Sequence, residues 1–453
     1  MINTHLFFTF LIGFALIYLA VGLWASRSVR TLQNYFLANR NLSVFQLTFA
    51  LIASQLGSGM ILGTAYRAYH IGIWGILYSV GMSIGFIILG CGLASRMRGL
   101  NIATTAEIFE THYNSTRLKM FASTLSVISL WGILVAQIVA SQTLFAGLEI
   151  NNSYIFIGCW LFVICYTMLG GLQSLVMIDI LQVSFIITVF IAALWYALPS
   201  APALSQLFDI QHTAFNNHTT LSMLAPALLI PTLFSLIEQD LAQKFFAAKN
   251  KSTATISALL AGLFLIFFSC IPLFFGMLAK ITAVHVPAQA NPLVSVLLSL
   301  CPHILFLLVI CAIIAAITST ANSLMCAISS NIVQDFKSCL NIKNQKLYVT
   351  KIISATIGIS ALTASYFMTG DIISILEESY RISVCCLLVP TLRAYFGQPT
   401  TAAPAWVACF MGLTGYIMMH FYFLPAILND IIPLAASCLG YFVTQRLVST
   451  KKR

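Results

Sequence analysis

The chemistry this sequence offers is that of oxygen ligands for a small cation. The first candidates lie in Phe45–Tyr69, FQLTFALIASQLGSGMILGTAYRAY, which is long and apolar enough to cross a bilayer. Its polar and glycine residues at positions 54–59 weaken a helix. A break there frees backbone carbonyls, with Ala53 and Leu56 as the candidates, and broken helices form the binding sites of transporters. Small residues also permit close helix packing, so this segment alone leaves both interpretations open.

The second set of oxygen atoms lies in AAITSTANSLMCAISS, positions 315–330. One helical turn there supplies the Ser319 and Thr320 hydroxyls and the Ala316 carbonyl. Hydroxyls can instead bond to carbonyls of the preceding turn, so a serine-rich helix is not by itself a site. A hard cation such as sodium prefers oxygen ligands, and the carbonyls of Ala53 and Leu56 would complete the set. The two segments together predict a sodium site.

Two further polar residues lie within apolar segments. Asp179 is a lone carboxylate in GGLQSLVMIDILQ, and an acid at membrane depth is costly unless it has a partner or a function. It can also lie at the helix entry within reach of water, and it is the candidate titrating group if protons drive the protein. Gln137 is either a bond between helices or a ligand.

The elements that position these residues are membrane-spanning helices. Of the 453 residues, 60% are hydrophobic and 8% charged, with mean hydropathy +0.95, which a soluble protein of this size does not bury. The sequence therefore predicts an all-α polytopic membrane protein. It shows no nucleophile–base set and no metal-ligand spacing, so we expect no enzyme. We place thirteen spans near 5–26, 43–69, 72–95, 119–147, 153–170, 175–199, 222–246, 253–279, 295–333, 350–369, 372–393, 402–424 and 427–446.

The formal charge of +10 is distributed as a topology signal. Basic residues collect in every second connection, apart from the very short connection after the fifth span. The positive-inside rule then predicts an N-terminus outside and a C-terminus inside, which an odd number of spans requires. The charge argues for a lipid bilayer as the partner rather than nucleic acid.

Span seven contains Pro226 and Pro231, which predict a second interruption because proline removes a backbone donor and kinks a helix. It lies five spans after the broken helix of span two. Interruptions at corresponding places in two halves are typical of an inverted repeat with a central binding site.

Several long segments, in order, resemble the sodium:solute symporter family, which includes sodium/proline, sodium/pantothenate, sodium/sialic acid and sodium/galactose transporters. The resemblance implies a single transporter domain over 1–453 with a LeuT-like five-plus-five inverted repeat. Its parts would be an extra helix at 5–26, repeats at 43–199 and 222–393, and two helices at 402–446. The segments that carry the resemblance are NYFLANRNLSVFQLTFALIASQLGSG, GGLQSLVMIDILQ, EQDLAQKFFAAKN, AAITSTANSL and PTLRAYFGQPTTAAPAWVACFMG.

The resemblance also implies roles for particular residues. Sodium would bind the carbonyls of Ala53, Leu56 and Ala316 and the hydroxyls of Ser319 and Thr320, the set chosen above from residue chemistry. Some members hold a second sodium. The matching residues for that site, or for a proton, are Asp179, Asn322 and Ser323.

The substrate residues implied by this position in the family are Gln55, Ser58, Gln137 and Phe234. Proline carriers have Asp, and sugar carriers Asn, where this chain has Gln55. No counterpart near Gly132 matches the arginine of sialic acid carriers. Sugar and sialic acid are disfavoured, and a small zwitterion such as proline, or a small carboxylate, is preferred.

The function expected from these observations is sodium-coupled import of a small organic solute by alternating access. The alternatives are a proton-coupled carrier of the same fold and a membrane sensor module acting on a partner in trans. We expect location in a bacterial inner membrane. The sequence does not indicate an oligomeric state.

Overall fold

The structure is a computed structural model, and its described residues form helices together with one isolated bridge between Leu42 and Ala248. The described residues are 4–27, 29, 31–150, 152–200, 221–287, 290–337, 347–368, 370–421 and 426–450. Of the basic residues behind the predicted topology, several lie outside these ranges: Arg30, Lys343, Lys346, Lys451, Lys452 and Arg453.

The α-helices of the described residues follow one another with short connections. They are α1 (Thr4–Ser26), α2 (Leu32–Leu37), α3 (Val44–Gln55), α4 (Thr64–Ile71), α5 (Leu77–Ile88), α6 (Ala94–Gly99), α7 (Glu107–Tyr113), α8 (Thr116–Gly147), α9 (Ser153–Ala197), α10 (Leu221–Ser235), α11 (Gln239–Ala247), α12 (Lys251–Ile281), α13 (Pro292–Leu300), α14 (His303–Asp335), α15 (Leu347–Ser365), α16 (Ile372–Phe396), α17 (Ala403–Phe421) and α18 (Ala426–Thr450).

Many of these helices suit a membrane. Within the described residues, nine are long and apolar enough to cross one by length and composition, and three shorter helices are also apolar. This agrees with the prediction of an all-helical polytopic protein. The count of thirteen spans and the orientation stay predictions.

The helix that carries the hydroxyl cluster lies at the centre of the bundle. In the most apolar window of α14, 78% of the residues are buried, against 11% for α1, so protein surrounds α14 while α1 faces outward. α14 packs on α8 and α9, and α1 packs on α9. On the other side, α10 packs on α5, and α12 packs on α3, α4 and α5. The hydroxyls of α14 therefore face neighbouring helices and not lipid.

The predicted break in span two is present. α3 starts with a capping box in which Ser43 and Gln46 bond each other's backbone N–H groups, and it ends at Gln55. A π-helix at Gly59–Gly63 then leads into α4. The non-α-helical stretch between α3 and α4 leaves carbonyls without their usual helical donors.

The predicted interruption at Pro226 and Pro231 is wrong in its position. α10 runs through both prolines and ends at Ser235. The break lies later, between α10 and α11, where Glu238 has the extended conformation φ −61°, ψ 123°. A proline removes only one donor, and a helix packed on α5 can continue past it with a kink.

The predicted ninth span, 295–333, is divided in the structure into α13 and α14. Cys301 between them is extended because Pro302 follows it and disfavours the helical conformation there. Spans five and six are joined by a bend at Gly171, whose φ of +57° suits glycine. A Cβ on Gly171 would also lie 2.5 Å from the Tyr35 carbonyl oxygen. The other span boundaries agree with the prediction to about one helical turn.

Candidate functional site

The predicted oxygen ligands of α3 and α14 lie together. Thr320 Oγ1 is 3.2 Å from the Ala53 carbonyl oxygen, and Ser319 Oγ is 3.4 Å from the same atom. The two hydroxyls are 3.2 Å and 2.9 Å from the Ala316 carbonyl oxygen, respectively. Both side chains are buried, so two hydroxyl and two carbonyl oxygens meet where α3 ends. This arrangement suits a small cation that prefers oxygen.

The glycine of the break allows α14 to approach α3 this closely. A Cβ on Gly57 would lie 2.8 Å from Thr320 Oγ1 and 3.0 Å from Gln137 Oε1. Leu56, the fifth predicted ligand residue, precedes Gly57 and is completely buried at the end of α3. Its residue therefore lies beside the cluster.

The residues of the predicted second site are buried but engage different neighbours. Asn322 accepts a hydrogen bond from Thr167 Oγ1 at 2.5 Å and donates to the Tyr166 hydroxyl. Ser323 accepts from Lys244. Asp179 is 2% exposed, and its Oδ2 has no hydrogen-bond partner among the described residues. No hydrogen bond within the described part of the chain joins the three predicted residues to one another.

Lys244 connects the first site to the second. Its ammonium group is completely buried and donates to Asp240 at 3.0 Å, to Ser323 Oγ at 3.0 Å and to Ser54 Oγ. The group thereby joins α11 to the end of α3 and to α14. The sequence placed Lys244 at a cytoplasmic helix end, and the pairing with Asp240 that it indicated is observed.

The predicted substrate residues surround the two breaks. The Ser58 backbone N–H donates to Gln137 Oε1 at 2.9 Å, which fastens the first break to α8. Gln55 Nε2 donates to Glu238 Oε2 at 3.2 Å, which joins the first break to the second. Phe234 lies on the last turn of α10, near Glu238.

Sequence reasoning missed three residues of this region. Phe234 stacks on Tyr380 of α16 with ring centroids 4.3 Å apart, and Tyr380 shares a 2.8 Å hydroxyl hydrogen bond with Tyr78. Glu238 is the third. Its charge within an apolar span was a usable signal, whereas nothing in the sequence links Tyr78 to Tyr380.

Two cavities lie on opposite sides of this aromatic group. One, of about 390 Å³, is a vestibule bordered by Tyr78, with the ion pair of Arg67 and Glu377 (2.8 Å) in its wall. The other is bordered by Phe234 and Glu238 and, at about 10 Å³, holds about one water molecule. The aromatic group therefore separates a wide vestibule from a small polar chamber.

The far side of the chamber is closed by the segment before α7. The Thr105 backbone N–H and hydroxyl both donate to Gln239 Oε1, at 2.6 and 2.9 Å. The neighbouring Thr104 hydroxyl donates to the buried Asp335 at 2.7 Å, as does Ser123. The chamber is thus enclosed on both sides and is too small for an organic solute in this conformation.

Comparison with known proteins identifies the family of this chain. The model of the sodium:solute symporter family matches residues 35–412. The chain belongs to the sodium:solute symporter family. This match covers both breaks and the hydroxyl cluster of α14, and it confirms the resemblance carried by the sequence motifs. The family and the structural neighbours are transporters and not enzymes.

A curated relative is the sodium/glucose cotransporter of Vibrio parahaemolyticus, 25% identical over 316 residues. The alignment covers 61% of this chain and 58% of that protein, so the chain spans less than two thirds of the relative's length.

Solved structures show the fold. A Na⁺-coupled sialic acid symporter in a substrate-bound outward-open state matches with a TM-score of 0.80 at 17% identity, over 97% of both chains. A nucleobase-cation-symport-1 family transporter matches with a TM-score of 0.64 at 14% identity, over 94% of this chain and 97% of that one. The fold is therefore that of sodium-coupled symporters.

Proposed function

We propose that this family member is a sodium-coupled secondary active symporter that imports a small organic solute by alternating access. The observation that carries the proposal is the meeting of the Ser319 and Thr320 hydroxyls with the Ala53 and Ala316 carbonyls at the break after α3. Sodium would bind there, with the Leu56 carbonyl as a further ligand. Such an ion would bridge α3 and α14, so its binding free energy depends on how these helices lie relative to each other.

The driving force is sufficient for accumulation. Each elementary charge that crosses 100 mV supplies about 2.3 kcal/mol, before any sodium concentration gradient is counted. A factor of ten in solute concentration corresponds to about 1.4 kcal/mol. One sodium per solute therefore sustains a solute gradient greater than tenfold.

The architecture we propose is the LeuT-like inverted repeat, with repeats at 43–199 and 222–393. The two breaks, after α3 and after α10, would be the equivalent interruptions of the two repeats, and the Gln55–Glu238 hydrogen bond joins them at the centre. A second cation would bind near Asp179, Asn322 and Ser323. We place the protein in a bacterial inner membrane, a location that the Vibrio relative suggests.

For the substrate we propose a small zwitterion such as proline, or a small carboxylate, bound among Gln55, Ser58, Gln137 and Phe234. These residues surround the closed polar chamber, which would widen when the aromatic group moves. Their hydrogen-bonding groups already contact one another, so a solute would have to replace those contacts.

The test is the melting temperature of the purified protein in detergent, with sodium replaced by potassium at constant ionic strength. A cation that binds only the folded state raises stability by about 2.7 kcal/mol at one hundred times its dissociation constant. We expect sodium, and not potassium, to raise the melting temperature. We also expect a sodium gradient to drive solute uptake into proteoliposomes.

Substitutions on one helix provide the matched comparison. Ser319→Ala and Thr320→Val should abolish both sodium responses. Ser329→Ala and Thr318→Val should retain them, because these hydroxyls bond within α14, to the Cys326 carbonyl and to the Ile314 carbonyl. Equal sodium responses in all four variants would contradict the proposal.

Proton coupling is the second candidate, favoured by the buried and unpartnered Asp179 Oδ2. If protons drive uptake, a pH gradient in potassium alone will suffice, and Asp179→Asn will abolish it. Sodium-dependent uptake that is indifferent to a pH gradient excludes this candidate.

A further inference from the structure

Glu238 occupies a special position between the two breaks. It precedes α11 in an extended conformation, yet its side chain makes no capping bond to the helix. The carboxylate instead accepts the hydrogen bond from Gln55 and is 5% exposed. Its side chain is therefore directed across the gap towards α3, into the region between the two broken helices.

This carboxylate has no ion-pair partner. Among the described residues, no Lys, Arg or His nitrogen lies within 4.0 Å of it. The buried cation of the region, Lys244, is already bonded to Asp240. Removing a carboxylate from water is expensive unless a positive charge accompanies it. The site is thus built with a negative charge that the protein itself does not balance.

The surroundings of Glu238 suit an organic cation. Phe234 and Glu238 border the same small chamber, and Phe234 is stacked on Tyr380. Aromatic rings attract ammonium groups through their π-faces, and the attraction increases where water is excluded. The Ser383 and Thr391 hydroxyls also border the chamber and offer oxygen acceptors. A carboxylate, aromatic rings and hydroxyls together form a receptor for a positively charged nitrogen.

We propose that Glu238 is a substrate-binding residue that pairs with a cationic nitrogen, so the transported solute carries an ammonium group. The proposal rests on the proposed transport function and narrows its substrate class to amino acids and amines. A simple carboxylate would meet a like charge at Glu238, and a neutral solute would leave this carboxylate unpaired.

The experiment compares matched solutes that differ in the charged nitrogen. The pairs are L-proline with cyclopentanecarboxylate, L-alanine with propionate, and choline with 3,3-dimethylbutan-1-ol. Binding is measured as the shift in melting temperature in constant sodium chloride, on the wild type, Glu238→Gln and Glu238→Asp. Glu110→Gln on α7 is the matched control, since Glu110 pairs with Lys119 outside this region.

We expect the wild type and Glu110→Gln to bind at least one cationic member and to bind its partner much more weakly. Losing one member of a buried ion pair costs at least about 30-fold in affinity, so Glu238→Gln should weaken binding by that factor. Glu238→Asp should retain part of the affinity. In Glu238→Gln, stabilisation by sodium without solute should persist, which shows that the variant is folded.

Two results would overturn the proposal. One is a wild type that binds no solute with a cationic nitrogen, or binds such solutes no better than their uncharged partners. The other is a Glu238→Gln variant that keeps wild-type affinity for the cationic solute. The sodium response without solute reports separately on the proposed function, so failure of sodium coupling is distinguishable from failure of the assignment of Glu238.

Discussion

Gly57→Ala tests whether the close approach of α3 and α14 builds the sodium site. A Cβ contact is ordinary from about 3.4 Å, whereas the added methyl would lie 2.8 Å from Thr320 Oγ1 and 3.0 Å from Gln137 Oε1. The deficits are 3.4 − 2.8 = 0.6 Å and 3.4 − 3.0 = 0.4 Å. Both side chains are buried, so relief requires the break to move from α14. Overpacking of this kind costs about 1–3 kcal/mol of folding stability.

The effect on sodium follows from the same displacement. Metal–ligand distances are held to about 0.2 Å, so a shift of 0.6 Å removes the Thr320 hydroxyl as a ligand. A hydrogen-bonding group that faces a charge contributes about 1.5–3 kcal/mol. We therefore expect the sodium dissociation constant to rise roughly tenfold to 150-fold.

The assay is a sodium titration of the melting temperature, at constant ionic strength, for wild type, Gly57→Ala and Gly13→Ala. Gly13 lies within α1, and nothing lies within 4 Å of a Cβ placed there. Its substitution should be neutral or stabilise the helix by up to about 1 kcal/mol. A Gly57→Ala variant that matches Gly13→Ala in both melting temperature and sodium affinity would refute the reasoning.

Two other predictions concern the chain around the chamber. Asp335→Ala leaves the Thr104 and Ser123 hydroxyls without their acceptor, so it should lower stability by about 1.5–3 kcal/mol, and Asp335→Asn by less; equal melting temperatures for the two variants would contradict this. Burial, and then the nearby Arg393, lowers the pKa of His112 on α7 below 6.5. The unfolded chain then binds the proton more tightly, so the stability contributed is complete above about pH 6.5 and falls as the pH drops below it. His112→Gln should flatten the melting temperature between about pH 7.5 and 5.5, and an unchanged slope would exclude this role.

Features that interrupt an apolar pattern locally could be predicted from the sequence. The polar run at 54–59 and the hydroxyls of α14 contrast with their apolar neighbours, and the structure brings Ala53, Ser319 and Thr320 together. The second break could not be located in this way. Pro231 marks a change in one residue's hydrogen bonding, whereas the end of α10 depends on packing against helices distant in sequence.

Contacts across long sequence separations were also beyond reach. Gln55 and Glu238 are 183 positions apart, and Tyr78 and Tyr380 are 302 apart. No periodicity relates such pairs, because their proximity follows from how the bundle is assembled. The substrate residue Phe234 was named from its place in the family, but its partner Tyr380 became visible only in the structure.

The second break joins substrate recognition to closure of the chamber. Glu238 bonds Gln55 of the first break, while its neighbour Gln239 accepts both hydrogen bonds from Thr105. Consecutive residues point to opposite sides of an extended chain, so one segment contacts both the proposed substrate position and the closing segment. Withdrawal of Thr105 would free Gln239 and allow α11 to move relative to α3. A solute cation paired with Glu238 would then change the free energy of opening, which is the coupling that alternating access requires.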